Sequence, residues 1–125
     1  MQALLATTYS SVHDISEKQW NDLNCLNNVY FNPEFLFAFE SSNTKINFKY
    51  IVISHNNKSI ALSLIQTIEF GVDAILKNIK ISKHLKNIIH YFLCNNSILI
   101  MFSGNIFLSG EHGVCINKNT DKIAV

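Results

Sequence analysis

A long alternation of apolar and polar residues, broken by a single turn, most constrains the fold of this 125-residue chain. From Asn47 onward hydrophobic residues recur with a period of two, which predicts a β-strand. Asn56 and Asn57 follow, and paired Asn residues tolerate the left-handed backbone of a tight hairpin turn. The alternation resumes from Ser59 to Glu69, with both faces largely apolar. We therefore expect a central hairpin that is covered on both sides of its sheet.

Two helices are predicted before the hairpin, each from a start signal. Ser16 and Gln19 have the spacing of a capping box, in which each side chain bonds the backbone N–H of the other. Asn32 is a strong N-cap, and Pro33 fits the first helical position. Glu34 then lies in the first turn, where the helix dipole favours a negative charge. The second of these helices has the clearest boundary in the chain.

The second half of the chain predicts one more helix and two strands. Ser82 opens an amphipathic helix, and its apolar residues are Leu85, Ile88, Ile89, Phe92 and Leu93. The continuous apolar run Ile98–Phe102 predicts a strand buried on both faces, and a short strand follows at Val114–Ile116. The predicted order α-α-β-β-α-β describes an α+β (α/β-like) fold, a mixed sheet flanked by helices. We expect one domain over residues 1–125, with 1–10 and 117–125 as loose ends.

Charge and hydropathy exclude several classes of partner. The net charge is only +1, which argues against nucleic acid or an anionic membrane as a partner. All ten basic residues are Lys, so bidentate Arg clamps on phosphate are absent. No apolar run approaches the roughly 20 residues that cross a bilayer, and the start lacks the basic region of a signal peptide. A soluble cytoplasmic protein is expected.

Neither a disulfide framework nor a metal site is predicted. The three cysteines, Cys25, Cys94 and Cys115, are an odd number at wide spacing. His112 and Cys115 have HxxC spacing, but zinc needs three or four ligands and no companion pair exists. The chain also lacks a phosphate-binding P-loop, a dinucleotide fingerprint and a nucleophile elbow. No residue is identified as catalytic.

The segment that follows the strand Ile98–Phe102 is the candidate binding site. Loops at the end of a central strand often carry binding residues. The candidates are Asn105, Ser109, Gly110, Glu111, His112 and Gly113. Glu111 and His112 are adjacent and face opposite sides of extended backbone, which disfavours a direct acid–base pair. The favoured alternative is a tight turn that exposes both side chains at its tip.

Four segments together resemble a known family. They are Ser16-Glu-Lys-Gln-Trp20, Tyr30-Phe-Asn-Pro-Glu-Phe-Leu36, Ala38-Phe-Glu40 and Gly104-Asn-Ile-Phe-Leu-Ser-Gly-Glu-His-Gly113. They resemble the N-terminal part of a bacterial group in the GNAT acyltransferase superfamily, related to FemAB-type proteins with two GNAT-like halves. The resemblance extends from about Ser11 to Ile116.

The resemblance implies a mixed sheet flanked by helices and, in the whole family protein, acyl transfer from a coenzyme-A thioester to an amine. It places Ile98–Phe102 at the strand that splays to receive the pantetheine arm. It places Ser109–Gly113 at the loop whose backbone N–H groups bind pyrophosphate. This loop lacks the family's leading Arg or Gln, and Glu111 puts a carboxylate where the phosphates would lie. No segment with the apolar face of a helix follows.

Three functions are compatible with these residues. We expect an N-terminal GNAT-like domain of an acyl-CoA N-acyltransferase, inactive alone, that helps to form the acceptor site and packs against a C-terminal GNAT-like half. Acetyl-CoA or acyl-CoA would then bind the full protein, and no cofactor would bind this chain alone. The alternative is a non-enzymatic interaction or dimerisation module that acts as a homodimer. A complete small acyltransferase would need a cofactor loop that the sequence lacks.

Overall fold

Helices and strands are interspersed along the chain, and the α+β class is confirmed. The structure, a computed structural model, describes residues 4–71, 76–77, 79–93, 97–107 and 113–117. Its strands are β1 (Leu5–Tyr9), β2 (Ile46–His55), β3 (Lys58–Gly71), β4 (Ser97–Ser103) and β5 (Val114–Ile116). Its helices are α1 (Glu17–Leu23), α2 (Pro33–Ser42) and α3 (Lys83–Leu93), with 3-10 turns at Val12–Asp14 and Val29–Phe31. The order of the described elements is β-α-α-β-β-α-β-β.

The two N-terminal helices begin at the predicted caps. The Ser16 hydroxyl accepts a hydrogen bond from the Gln19 backbone N–H, and the Gln19 side chain accepts one from the Ser16 N–H, which completes the capping box. Asn32 Oδ1 accepts from the N–H groups of Glu34 and Phe35, at 2.9 and 3.2 Å. These bonds satisfy N–H groups that the helices leave unpaired at their starts.

The central hairpin forms as predicted. Strands β2 and β3 pair antiparallel, and the turn between them has positive φ at Asn56 (53°) and Asn57 (59°). Both angles fall in the left-handed region that Asn tolerates better than most residues. The hairpin forms the centre of the sheet, because both β2 and β3 pair with further strands on their outer edges.

Every pairing among the described strands is antiparallel, so the expected mixed sheet is wrong for this part of the chain. The strand order is β1-β2-β3-β4, and β5 pairs with β3 on the same edge as β4. Leu5–Tyr9 is an edge strand on β2, which corrects the prediction of a loose N-terminal end there. Asn117 is buried and its N–H bonds the Ile60 carbonyl, so it too is fixed. Residues 118–125 lie outside the described part.

Among the described residues, only one face of the sheet carries buried side chains, which differs from the prediction of a hairpin covered on both sides. Tyr50, Val52, Leu62 and Leu64 point toward α1, α2 and the 3-10 turns, and each is at most 1% exposed. The opposite side, here called the open face, contains no buried residue among those described. Its residues include Ala6, Thr8, Asn47, Lys49, Ile51, Ile53, Ala61, Ser63, Ile65, Thr67, Glu69, Leu99, Met101, Ser103, Val114 and Ile116.

The later elements pack less than predicted. Strand β4 lies at the edge of the sheet and is exposed at Ile98, Leu99 and Met101, so the expected burial of both its faces is wrong. Helix α3 forms as predicted, yet Leu85 and Ile88 on its apolar side are exposed. No described helix is long and apolar enough to cross a membrane.

Candidate functional site

The outer strand of the sheet is interrupted opposite Leu64. The Gly104 N–H donates to the Leu64 carbonyl at 2.8 Å, which closes the ladder with β4. The Leu64 N–H donates to the Gly113 carbonyl at 2.9 Å, which opens the ladder with β5. Asn105, Ile106 and Phe107 follow Gly104 outside the sheet, and Gly113 pairs with the same residue of β3 as Gly104. We call Leu64, Gly104 and Gly113 the edge break.

Both glycines of the edge break are required by its geometry. Gly104 has a φ of 108°, a conformation that L side chains rarely adopt. A Cβ on Gly113 would lie 3.0 Å from both the backbone carbonyl oxygen and the hydroxyl oxygen of Ser103. The two sides of the break therefore touch, and Ser103 presents two hydrogen-bond acceptors at the point of contact.

Two buried amide side chains fix Ile106 and Phe107, the residues that leave the sheet after Gly104. Gln66, 1% exposed on β3, accepts a hydrogen bond from the Ile106 N–H at 2.9 Å through Oε1. Asn105 is also buried, and its Oδ1 accepts from the Phe107 N–H at 2.9 Å. Within the described part of the chain, the Gln66 Nε2 donor has no hydrogen-bond partner. An unpaired buried donor costs about 1–3 kcal/mol, so Gln66 is kept at the cost of part of the stability of the sheet.

Aromatic packing places Phe107 on the helix-covered side of the sheet. The Phe107 ring meets Phe39 of α2 edge-on, with centroids 5.6 Å apart. Phe39 in turn meets Phe48 of β2 at 5.7 Å, and Ile106 packs against the same core. The residues that leave the sheet at the edge break are thus anchored between β3 and α2.

The structure places two of the six predicted site residues. Asn105 and Gly113 lie on opposite sides of the edge break. Next to Asn105, the Ile106 N–H is bonded to Gln66 of β3, whereas Gly113 is itself bonded to Leu64 and packs against Ser103. Ser109, Gly110, Glu111 and His112 lie outside the described residues. Gln66 was not among the predicted residues, although its position on an otherwise apolar strand face was a usable signal.

A second polar group lies under the helices, away from the edge break. Glu40 Oε2 accepts from the Tyr50 hydroxyl and from the Val12 N–H, both at 3.1 Å. Burial raises the pKa of Tyr50 well above its ordinary value, and the Glu40 charge and hydrogen bond raise it further. This group ties α2 to β2 and to the first 3-10 turn.

A cavity of about 400 Å³ lies between the turn after α1 and strand β5. Cys25 and Cys115 both line it, together with Asn24, Asn27, Asn28 and Ile116. Burial raises the pKa of the Cys25 thiol to about 12, and the hydrogen bond and charge of Cys115 contribute in the same direction. Among the described residues, no three His, Cys, Asp or Glu side chains cluster as metal ligands would.

Comparisons with protein-family models, curated proteins and solved structures find no match for this chain. The interpretation of the site therefore depends on its geometry. That geometry comprises a broken outer strand, one glycine with positive φ, a second glycine packed closely against Ser103 and a buried amide donor.

Proposed function

We propose that this chain is the N-terminal GNAT-like domain of an acyl-CoA-dependent N-acyltransferase and that it helps to form the acceptor site. The observation that carries the proposal is the edge break. The resemblance places a splayed strand at Ile98–Phe102, and the outer ladder is interrupted directly after it, between Gly104 and Gly113. Both backbone bonds of Leu64 are made there, so the groups that the interruption offers to a ligand are the two Ser103 oxygens beside Gly113.

The chemistry of the edge break suits an amine acceptor better than a coenzyme. An amine donates hydrogen bonds, and Ser103 offers a carbonyl and a hydroxyl oxygen beside Gly113. The Nε2 of Gln66 is buried on the helix-covered face, opposite the Ser103 hydroxyl, so Gln66 would report on the site through the bond from the Ile106 N–H and not by touching the same molecule. After Gly113 the chain continues as β5 along β3, so these residues do not open a helix whose N-terminus would hold pyrophosphate. We therefore assign acyl-CoA binding to a partner half, and turnover to the pair.

Two-dimensional ¹H–¹⁵N NMR of the isolated chain tests this proposal. The reporters are the Gln66 side-chain amide and the Gly104 and Gly113 N–H groups, with Gly71 at the far end of β3 as an internal reference. L-lysine, spermidine and glucosamine serve as primary-amine probes, and acetyl-CoA is titrated separately. We expect at least one amine to shift the three reporters and leave Gly71 unchanged, while acetyl-CoA shifts none of them.

Each other outcome contradicts the proposal in a distinct way. Saturable shifts with micromolar acetyl-CoA would mean that the chain holds the cofactor itself and is a complete small acyltransferase. No shift with any amine would remove the acceptor site. The variant Ser103→Ala should weaken the amine-induced shifts severalfold because it removes one acceptor oxygen, whereas Thr67→Ala on the open face serves as the matched control.

The second candidate is a non-enzymatic dimerisation module, and the open face favours it. The central rows of that face pair Ile53 with Ala61 and Ile51 with Ser63, and the edge adds Val114 and Ile116. None of these side chains is charged, and Lys49 and Glu69 on the same face have opposite signs, so two copies can stack without placing only like charges together. Light scattering separates the candidates, since a stable dimer would double the 14.2 kDa mass of the chain.

A further inference from the structure

The contact between Cys25 and Cys115 is not used by the proposed function. Cys25 follows α1 and is 5% exposed, whereas Cys115 lies in the middle of β5 and is half-buried. Ninety residues separate them in sequence, yet both line the same cavity, and Cys115 packs against the core cluster that contains Cys25. Closeness of the two side chains is the first geometric requirement for a disulfide.

A clamp beside the cavity keeps the two thiols together. The Asn117 side-chain amide donates to the Asp22 carbonyl at 2.5 Å, which joins the end of β5 to the end of α1. The Asp22 carboxylate accepts from the Ser59 N–H at 3.2 Å, which fixes the same turn of α1 to the start of β3. Cys25 follows Asp22 by three residues, and Cys115 precedes Asn117 by two. Their approach is therefore built by the fold and does not depend on the thiols themselves.

We propose that Cys25 and Cys115 form a reversible dithiol–disulfide site that fastens β5 to the turn after α1. The oxidant is a low-molecular-weight disulfide such as oxidised glutathione. Cys115, the more accessible of the two, attacks as the thiolate, breaks the glutathione S–S bond and releases one glutathione thiol. The Cys25 thiol then loses its proton, attacks Cys115 Sγ and expels the second glutathione thiol. Two protein thiols are oxidised, and one disulfide is reduced to two thiols.

The bond would act on the least supported strand of the described sheet. β5 has three residues and pairs only with β3 in the described part of the chain. Short edge elements open locally at low free-energy cost, and a cross-link between distant residues restricts that opening and the unfolded state. Cys115 is two residues from Gly113, so the disulfide also fixes one side of the edge break.

The experiment uses the full chain carrying Cys94→Ser. Cys94 and Cys115 fall in one tryptic peptide, because no Lys or Arg occurs between Lys86 and Lys118, and the substitution makes the expected cross-link unique. After incubation with oxidised glutathione and alkylation of free thiols, we expect a non-reducing digest to contain Gln19–Lys45 joined to Asn87–Lys118. We expect the oxidised protein to melt roughly 10 °C above the reduced protein, and dithiothreitol to reverse the shift.

Single-cysteine variants separate a true pair from unspecific oxidation. In the same background, Cys25→Ala should stop at a glutathione mixed disulfide on Cys115, and Cys115→Ser should take up little glutathione at buried Cys25. Neither should show the reversible melting shift. Circular dichroism of each reduced variant checks that it folds, and for a variant that does not, the digest of the Cys94→Ser protein alone decides. Absence of the joined peptides, or equal melting of oxidised and reduced protein, would overturn the proposal.

Discussion

The two faces of the same sheet are built from similar residues but differ in how deeply those residues are buried. On the covered face Val52 and Leu62 are fully buried, and on the open face their neighbours Ile53 and Ala61 are only half-buried. Aliphatic side chains alternate along both strands, so apolar character does not distinguish the faces. The difference comes from α1 and α2, whose buried residues Trp20, Leu23 and Leu36 belong to the same core cluster as the covered face. Burial on this sheet is decided by what the chain places over it.

The largest expected effect tests this difference directly. Leu62→Ala removes a side chain that is 0% exposed in the core, and Met101→Ala removes one of similar size that is 69% exposed on the open face. We expect Leu62→Ala to lower the free energy of unfolding by about 2–5 kcal/mol, because a cavity is left. Met101→Ala should lower it by less than about 0.5 kcal/mol. Urea unfolding measures both, and equal losses would show that the open face is covered in solution.

The next effect concerns the edge break. Gly104→Ala forces a Cβ into a backbone with φ of 108°, and we expect it to lower the free energy of unfolding by about 1–3 kcal/mol. Gly71→Ala, at the other end of the same edge of β3, meets no atom within 4 Å and is the matched control. Its effect should stay below about 1 kcal/mol. If the two variants have equal stability, the interruption at Leu64 is not a fixed feature of the sheet.

A third effect shows how the covered face responds to pH. Neutral Tyr50 is favoured in the folded protein, so its contribution to stability is full below its ordinary pKa of 10.0 and is lost as the pH rises above that value. The loss should approach about 1.4 kcal/mol per pH unit. Tyr50→Phe should remove this slope and cost about 1–2 kcal/mol at neutral pH, because the bond to Glu40 is lost. Tyr91→Phe, on an 80% exposed side chain, should change neither quantity.

Local signals in the sequence predicted local structure well. The capping box at Ser16, the Asn32-Pro33 helix start and the Asn56-Asn57 turn all appear where the sequence indicated. Each depends on side chains and backbone within a few residues, so the sequence contains the whole cause. The amphipathic pattern of α3 likewise predicted a helix, although the exposure of its apolar side depends on what lies opposite.

Long-range placement was predicted poorly, for the same physical reason. The apolar run from Ile98 to Phe102 predicted a strand but not its place at the sheet edge, because pairing with β3 is set by residues thirty positions away. β1 was missed because its alternation, with two Thr among five residues, is weakly apolar. At the candidate site Asn105 and Gly113 were predicted from their turn chemistry. Gln66 was not predicted, although it is a polar residue on an apolar strand face, and its bond from the Ile106 N–H is visible only in the structure. The remaining predicted site residues lie outside the described part.

The smallest expected effect on stability decides between the two proposed functions. Ile116→Lys places a charge on a side chain that is 65% exposed at the margin of the open face. In a monomer this should change the free energy of unfolding by less than about 0.5 kcal/mol and leave the mass at 14.2 kDa, which supports a domain whose partner is another half. In a dimer joined through the open face, the ammonium group would be buried without a counter-charge, and light scattering would show the mass fall by half relative to the unsubstituted chain. A large loss of stability without any change of mass would contradict both functions, because it would mean that Ile116 is buried within its own chain.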